Sequence, residues 1–179
     1  MRPIEIITRF DKFLEKQGLE LEAVVIGGAA LAHLGIITRE TRDCDVLHPE
    51  LSEEIRCAAK EFAQELTSEG IPLDENWLNN GPSSLIADLP KDWMMRLEPM
   101  FTGKAIVLKS LGRLDLLRSK LFALCDRGLD LPDCMALAPT QSEIDEIMSW
   151  LKNRDVNPSW PSHVEATLSD LRRRLDYGV

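Results

Sequence analysis

The sequence predicts an α+β fold: a small mixed β-sheet flanked by helices, followed by a C-terminal helical part. Three observations carry this. Short apolar runs that stop at glycine, such as Val24-Val25-Ile26 before Gly27-Gly28, read as buried strands. Stretches with apolar residues at helical spacing alternate with these runs up to Lys109. Beyond Leu111 only the helical period remains, which divides the chain into a mixed core over residues 1–110 and a helical part over 111–179.

The elements follow in order. Ile4, Ile7, Phe10 and Leu14 share one face of a helix over Ile4 to Lys16, with Gly18 as its stop. Leu21 to Ile26 is a strand ending in the Gly27-Gly28 turn, and Ala29 to Leu34 is a short helix closed by Gly35. A second strand covers Arg42 to Leu47. Glu50 to Glu69 is a helix whose stripe is Leu51, Ile55, Ala58-Ala59, Phe62 and Leu66. Pro72, Asn79-Asn80-Gly81-Pro82 and Pro90 mark loops around one short strand near Leu85. Met94 to Phe101 and Lys104 to Lys109 read as a hairpin about Thr102-Gly103. Four helices then follow: Leu114 to Arg127 ending at Gly128, Leu131 to Leu137, one opened by a Thr140/Glu143 capping box, and Val164 to Leu175 after a turn over Asn157 to Pro161.

Composition narrows the function. With 44% hydrophobic and 28% charged residues in 179, the chain is globular rather than disordered. No apolar run approaches the roughly 18 residues of a membrane span. Thirty acidic against twenty-one basic residues give a net charge of −9. A protein that coats nucleic acid draws its affinity from basic residues, so this balance disfavours an extensive nucleic-acid footprint. Four cysteines form no CxxC pair and the three histidines are scattered, which argues against a zinc site. The free thiols and the lack of a signal-like N-terminus lead to the expectation of a cytoplasmic protein.

The chemistry concentrates in VVIGGAALAHLGIITRETRDCDV, residues 24–46. Backbone N–H groups of a Gly-Gly turn opening a helix can cradle phosphate, though such a turn alone is commonly only a turn. Asp43 and Asp45 alternate on the second strand, about 7 Å apart on one face. Two such carboxylates repel unless a cation relieves them, and hard oxygen ligands suit Mg²⁺, which also takes nucleotide phosphates. The competing reading is a solvated acidic face. Arg39 and Arg42 lie close enough in sequence to neutralise the acids or to approach a nucleotide. Lys120 and Arg127, seven residues apart, fall near one helix face and could grip phosphates; as plain surface charges, Arg127 would favour a helix C-terminus. Asp130 reads as a helix cap, with Asp133 in the first turn behind it. Trp150, Leu151 and Trp160 read as packing between helices, and Arg172-Arg173-Arg174 as a solvated face.

A strand ending in Gly-Gly, a short helix and Asp-x-Asp on the next strand resembles the DNA polymerase β-type nucleotidyltransferases. GGAAL with TRDCDV is similar to their bacterial branch, which includes the AbiE-type toxins of toxin–antitoxin systems. In that branch a later helix carries Lys-x-x-Ala-Leu-x-x-Arg and then two aspartates, matched here by Lys120, Ala123, Leu124, Arg127, Asp130 and Asp133. The resemblance spans Val24 to Leu137. It implies a nucleotidyltransferase core that moves NMP from an NTP to an acceptor hydroxyl on tRNA, protein or a small molecule, with an antitoxin as a further partner. It implies a two-ion Mg²⁺ site on Asp43 and Asp45, and nucleotide contacts from Gly27, Gly28, Lys120 and Arg127. The third catalytic carboxylate falls by element order on Glu98, with Asp88 next. Ala29 departs from the Ser or Thr common after the glycines. The alternative is a catalytically inactive member that binds a nucleotide or a partner.

Overall fold

The computed structural model describes residues 3–37 and 43–175; Arg39 and Arg42 lie outside them. The chain divides into two compact units, Met1–Gly112 and Arg113–Val179.

The first unit begins with helix α1 (Pro3–Gln17), which buries Ile6, Ile7, Phe10 and Leu14. Strand β1 (Leu21–Ile26) runs into the short helix α2 (Gly27–His33), and strand β2 (Cys44–His48) follows. Ser52 caps helix α3 (Glu53–Ser68) by accepting from Ile55 N–H at 3.3 Å. Three short strands complete the sheet: β3 (Leu78–Asn79), β4 (Glu98–Thr102) and β5 (Ile106–Ser110).

The sheet order is β3-β2-β1-β5-β4. β1 is antiparallel to β2 and parallel to β5, β2 is parallel to β3, and β4 with β5 forms the expected antiparallel hairpin. One face, with Ala23, Val25, Cys44, Val46, Ile106 and Leu108, packs on Ile7, Phe10 and Leu14 of α1 and Ala59, Phe62 and Leu66 of α3. Period 2 then turns Asp45 and Leu47 to the other face. Phe10, Phe62 and Trp77 fill the helix side with ring centroids 5.1–5.9 Å apart, and Trp77 Nε1 donates to Ala59 C=O at 3.1 Å.

Two expected strands fall elsewhere. The strand near Leu85 is a 3-10 turn over Ser83–Ala87, and the edge strand sits at Leu78–Asn79. Met94 to Phe101 is not continuous: Trp93–Arg96 is also a 3-10 turn, and β4 begins at Glu98. Its apolar letters mislead because Met94 and Met95 are exposed, while Trp93 alone is buried and Arg96 pairs with Asp92 four residues back.

A buried acid ties the hairpin to α1. Asp11 Oδ1 accepts from Ala105 N–H at 2.9 Å and Ile106 N–H at 2.8 Å, and Oδ2 from Lys104 N–H at 3.2 Å. The carboxylate lies so close that a Cβ on Gly103 would stand 2.2 Å from Oδ1, so the turn accepts only glycine there. Burial pushes the Asp11 carboxyl up, and the backbone donors of Ala105, Lys104 and Ile106, with the Lys104 ammonium, more than offset it; the net direction is down from 3.8. A lowered folded pKa stabilises fully above the ordinary value and loses that contribution as pH falls below about 3.8 toward the folded value. Asp11→Asn keeps the Oδ1 bonds and turns an NH₂ toward Lys104 N–H. It is expected to cost about 1–2 kcal/mol at pH 7 and less as pH falls below 3.8, read from urea unfolding across that range.

The second unit is helical: α4 (Arg113–Arg127), α5 (Leu131–Leu137), α6 (Gln141–Lys152) and α7 (Trp160–Arg174). The Thr140/Glu143 capping box forms, and Glu143 also accepts from Arg113 Nε at 3.1 Å, tying α4 to α6. Leu116, Leu117 and Leu121 of α4, Ile144, Ile147 and Leu151 of α6, and Val164, Leu168 and Leu171 of α7 are buried. Trp160 Nε1 donates to Leu151 C=O at 2.8 Å, and Phe122 meets Trp150 and Trp160 edge-on, so these residues serve packing. α7 begins at Trp160, inside the expected turn. The arginine run is ion-paired, half-buried Arg172 with Asp145 and the exposed Arg173 and Arg174 both with Asp170, so only the last two stand on the expected solvated face. No helix among the described residues is long and apolar enough to cross a membrane.

Candidate active site

The first unit brings the Gly27 turn and Asp45 together at the C-terminal end of β1. Ile26, the last residue of the strand, is in register with Asp45 of β2. Gly27 then takes φ +75°, a left-handed conformation that glycine adopts without strain. A Cβ there would lie 2.6 Å from Asp45 Oδ2, so both conformation and space demand glycine. The carboxylate is thus held against the backbone where the chain turns from β1 into α2. Ile26 at the N-cap offers no side-chain hydrogen bond to the first turn of that helix.

Asp43 is exposed and stands just before the β2 ladder. It lines a small crevice with Ile6, Ile7, Ala29 and Trp77. Asp45 is thus at Gly27, whereas the crevice that Asp43 lines is made by residues of the helix-side core, Ala29 among them. Gly28 follows Gly27 in the first turn of α2 and is half-buried. Ala29 is only 2% exposed and its side chain belongs to the core. A phosphate near this turn would meet backbone N–H groups and no side chain of residue 29.

Sequence reasoning missed Asn79. Its residue pairs with Asp45 across the β2/β3 ladder, and its Nδ2 donates to Asp45 Oδ1 at 3.2 Å. The signal was hidden because Asn79-Asn80-Gly81-Pro82 has turn composition, and a two-residue strand has no period to detect. Asn80, beside it, accepts from Leu51 N–H and donates to Val46 and Pro49 carbonyls, fixing the loop after β2.

Within the first unit, Glu98 stands apart from Asp45. Glu98 opens β4, the far edge of the sheet, three interstrand steps from β2 or about 14 Å. It is in register with Ser110 and through it with Val25, which lies on the helix-packed face opposite Asp45. Asp88 ends the 3-10 turn over Ser83–Ala87. In the second unit Lys120 is 8% exposed, and its Nζ contacts Asp133 Oδ2 at 2.8 Å and Asp130 Oδ1 at 3.2 Å. Asp130 makes no side-chain cap, contrary to expectation: at φ +67° it turns its carboxylate to Lys120 instead. Cys134, fully buried beside these groups, has its thiol pushed up to about 12, first by burial and then by the Asp130 charge. Arg127 ends α4 in solvent, 4.0 Å from Asp126.

The described residues hold no group of three or more His, Cys, Asp or Glu side chains arranged for a metal. Carboxylate oxygens are hard donors of the kind Mg²⁺ takes, with phosphate and water at its other positions. Asp43 and Asp45 are the residues that would hold it.

A glycine turn thus closes on a strand aspartate at the end of β1. The chain belongs to the family described as "Nucleotidyltransferase of unknown function (DUF6036)", whose match runs over residues 4–137, from α1 through α5. No curated protein and no solved structure matches the chain.

Proposed function

We propose that the protein transfers a nucleoside monophosphate from an NTP to an acceptor hydroxyl in a Mg²⁺-dependent reaction. The observation that carries the reading is Asp45 Oδ2 held against the Gly27 backbone at the end of β1, in a member of a nucleotidyltransferase family. Magnesium bound with the triphosphate would supply charge neutralisation as pyrophosphate leaves. The chain's own part is to orient. Gly27 and Gly28 let phosphate oxygens approach backbone N–H groups without a side chain between them. Asp45 would present its negative charge at that turn, with Asp43 the second acid, just before β2. The acceptor oxygen bonds to the α-phosphorus, the bond to the bridging oxygen breaks, the electron pair leaves on pyrophosphate, and the hydroxyl proton passes to solvent.

The acceptor is tRNA, a protein or a small molecule; the acidic chain favours one that does not require a broad basic surface. Incubation with each α-labelled NTP, Mg²⁺ and a cell lysate tests the reading. Label is expected on one class of acceptor, with EDTA abolishing it; label on tRNA would extend the reading to a toxin held by an antitoxin. No label from any of the four NTPs, with no Mg²⁺-dependent thermal shift by them, overturns it. A catalytically silent nucleotide-binding member is the second reading, favoured by the buried Ala29 side chain and by Lys120 being engaged with two carboxylates. A thermal shift without label would select it.

A further inference from the structure

We propose that α5 is a strap that lifts from the helical unit as one piece, pivoting about Gly128 and Ala138, with Lys120 and Arg113 as the latches that hold it down. Closed, it keeps the Lys120 ammonium engaged with its own acids; lifted, it carries those acids away and uncovers the ammonium.

The packing that holds α5 is slight. Seven residues are too few for a helix to persist in water without support from its surroundings. α4, α6 and α7 pack on one another, whereas α5 packs chiefly on α4. It buries Asp133, Cys134 and Leu137, of which only Leu137 is a large apolar side chain.

Backbone strain opposes closure at both ends of the segment. Asp130 at φ +67° and Ala138 at φ +43° are both left-handed, and neither is glycine. An aspartate tolerates this conformation through its short polar side chain; an alanine has no such compensation. Conformations of this kind persist only where surrounding contacts impose them, and they gather at segments that switch. Here the imposing contacts come from α4. At the entry Lys120 Nζ meets Asp133 Oδ2 at 2.8 Å and Asp130 Oδ1 at 3.2 Å. At the exit Arg113 Nη2 donates to Leu137 C=O at 2.7 Å, while its Nε donates to Glu143 of α6 at 3.1 Å.

The joints suit such a movement. Gly128 has φ +67°, and among the described residues nothing lies within 4 Å of where its Cβ would stand, so the chain turns there without obstruction. At the other end Ala138 can relax to an ordinary conformation once Leu137 leaves Arg113. The charged groups of both latches reach water on opening, so none is left buried without a partner.

Cys134 reports the movement. It sits in α5 with no exposed surface, and burial pushes its thiol up to about 12, so an alkylating reagent reaches it only when the strap is lifted. Iodoacetamide labelling in native buffer, read by mass spectrometry of the peptide that carries Cys134, tests this. The rate is expected to stay nearly flat in urea below the unfolding transition, because lifting α5 exposes little surface. A rate that climbs with urea as steeply as global unfolding overturns the proposal. Ala138→Gly removes the strain from the closed form and is expected to slow labelling about fivefold. Asp130→Asn weakens one latch, leaves Asp133 on Lys120 and is expected to speed it. Wild-type rates in both variants overturn the proposal as well. No nucleotide enters either measurement, so their failure leaves the transferase reading standing, and failure of that reading leaves them interpretable.

Discussion

Asp45→Asn is expected to lower Mg²⁺-dependent nucleotide transfer by at least about a hundredfold while the protein stays folded. The substitution removes one unit of negative charge where the Gly27 turn and the phosphate would meet, and changes the side-chain shape hardly at all. The amide oxygen can still accept from Asn79 Nδ2, so the β2/β3 pairing survives. The change in unfolding free energy is therefore expected to stay within about 1 kcal/mol. Transfer assays with labelled NTP beside a urea unfolding curve separate the two effects. Full activity would remove Asp45 from the site. A collapse of stability would instead make it a structural partner of the sheet.

Lys120→Met is expected to give the largest loss of stability, about 3–5 kcal/mol. The ammonium stands between Asp130 and Asp133, and Asp133 is only 1% exposed. Without it a buried carboxylate faces a second one across the space the lysine filled. Breaking a buried pair costs far more than the pair contributes, because the remaining charge is uncompensated. Lys120→Met with Asp133→Leu should therefore recover much of the loss, and thermal melts of both variants with wild type check this. A change under about 1 kcal/mol in the single variant would show that the triad is solvated and that Lys120 is available for other work.

Much of the architecture was legible because it is written in period and punctuation. Leu21–Ile26, Leu131–Leu137 and the Thr140/Glu143 box appear where apolar spacing and capping chemistry put them. The region between α3 and β4 was not legible. There, pairing depends on Trp77 reaching α3 and on a two-residue strand, and neither leaves a repeating pattern. Asp45 and Gly27 were readable as a motif, and their mutual contact follows from the register of β1 and β2. Glu98 was chosen by element order, which is blind to the order of strands in space: β4 follows β3 in the chain and lies at the opposite edge of the sheet. Lys120 was read from helix spacing, which gives a direction on the helix but not the acids of the next segment that turn back to meet it.

The parallel partner of β1 is β5, the last strand of the first unit, with Leu21 beside Ile106. The central strand of the sheet therefore waits for nearly the whole unit before its second edge is covered. A two-stranded β1/β2 ribbon is marginal in water, and closing so long an intervening loop is slow because its entropy must be lost before any contact rewards it. The Gly27 turn and Asp45 are therefore expected to become rigid together with the pairing of β5. Because β5 ends at Ser110, the sheet cannot be complete before that residue is in place.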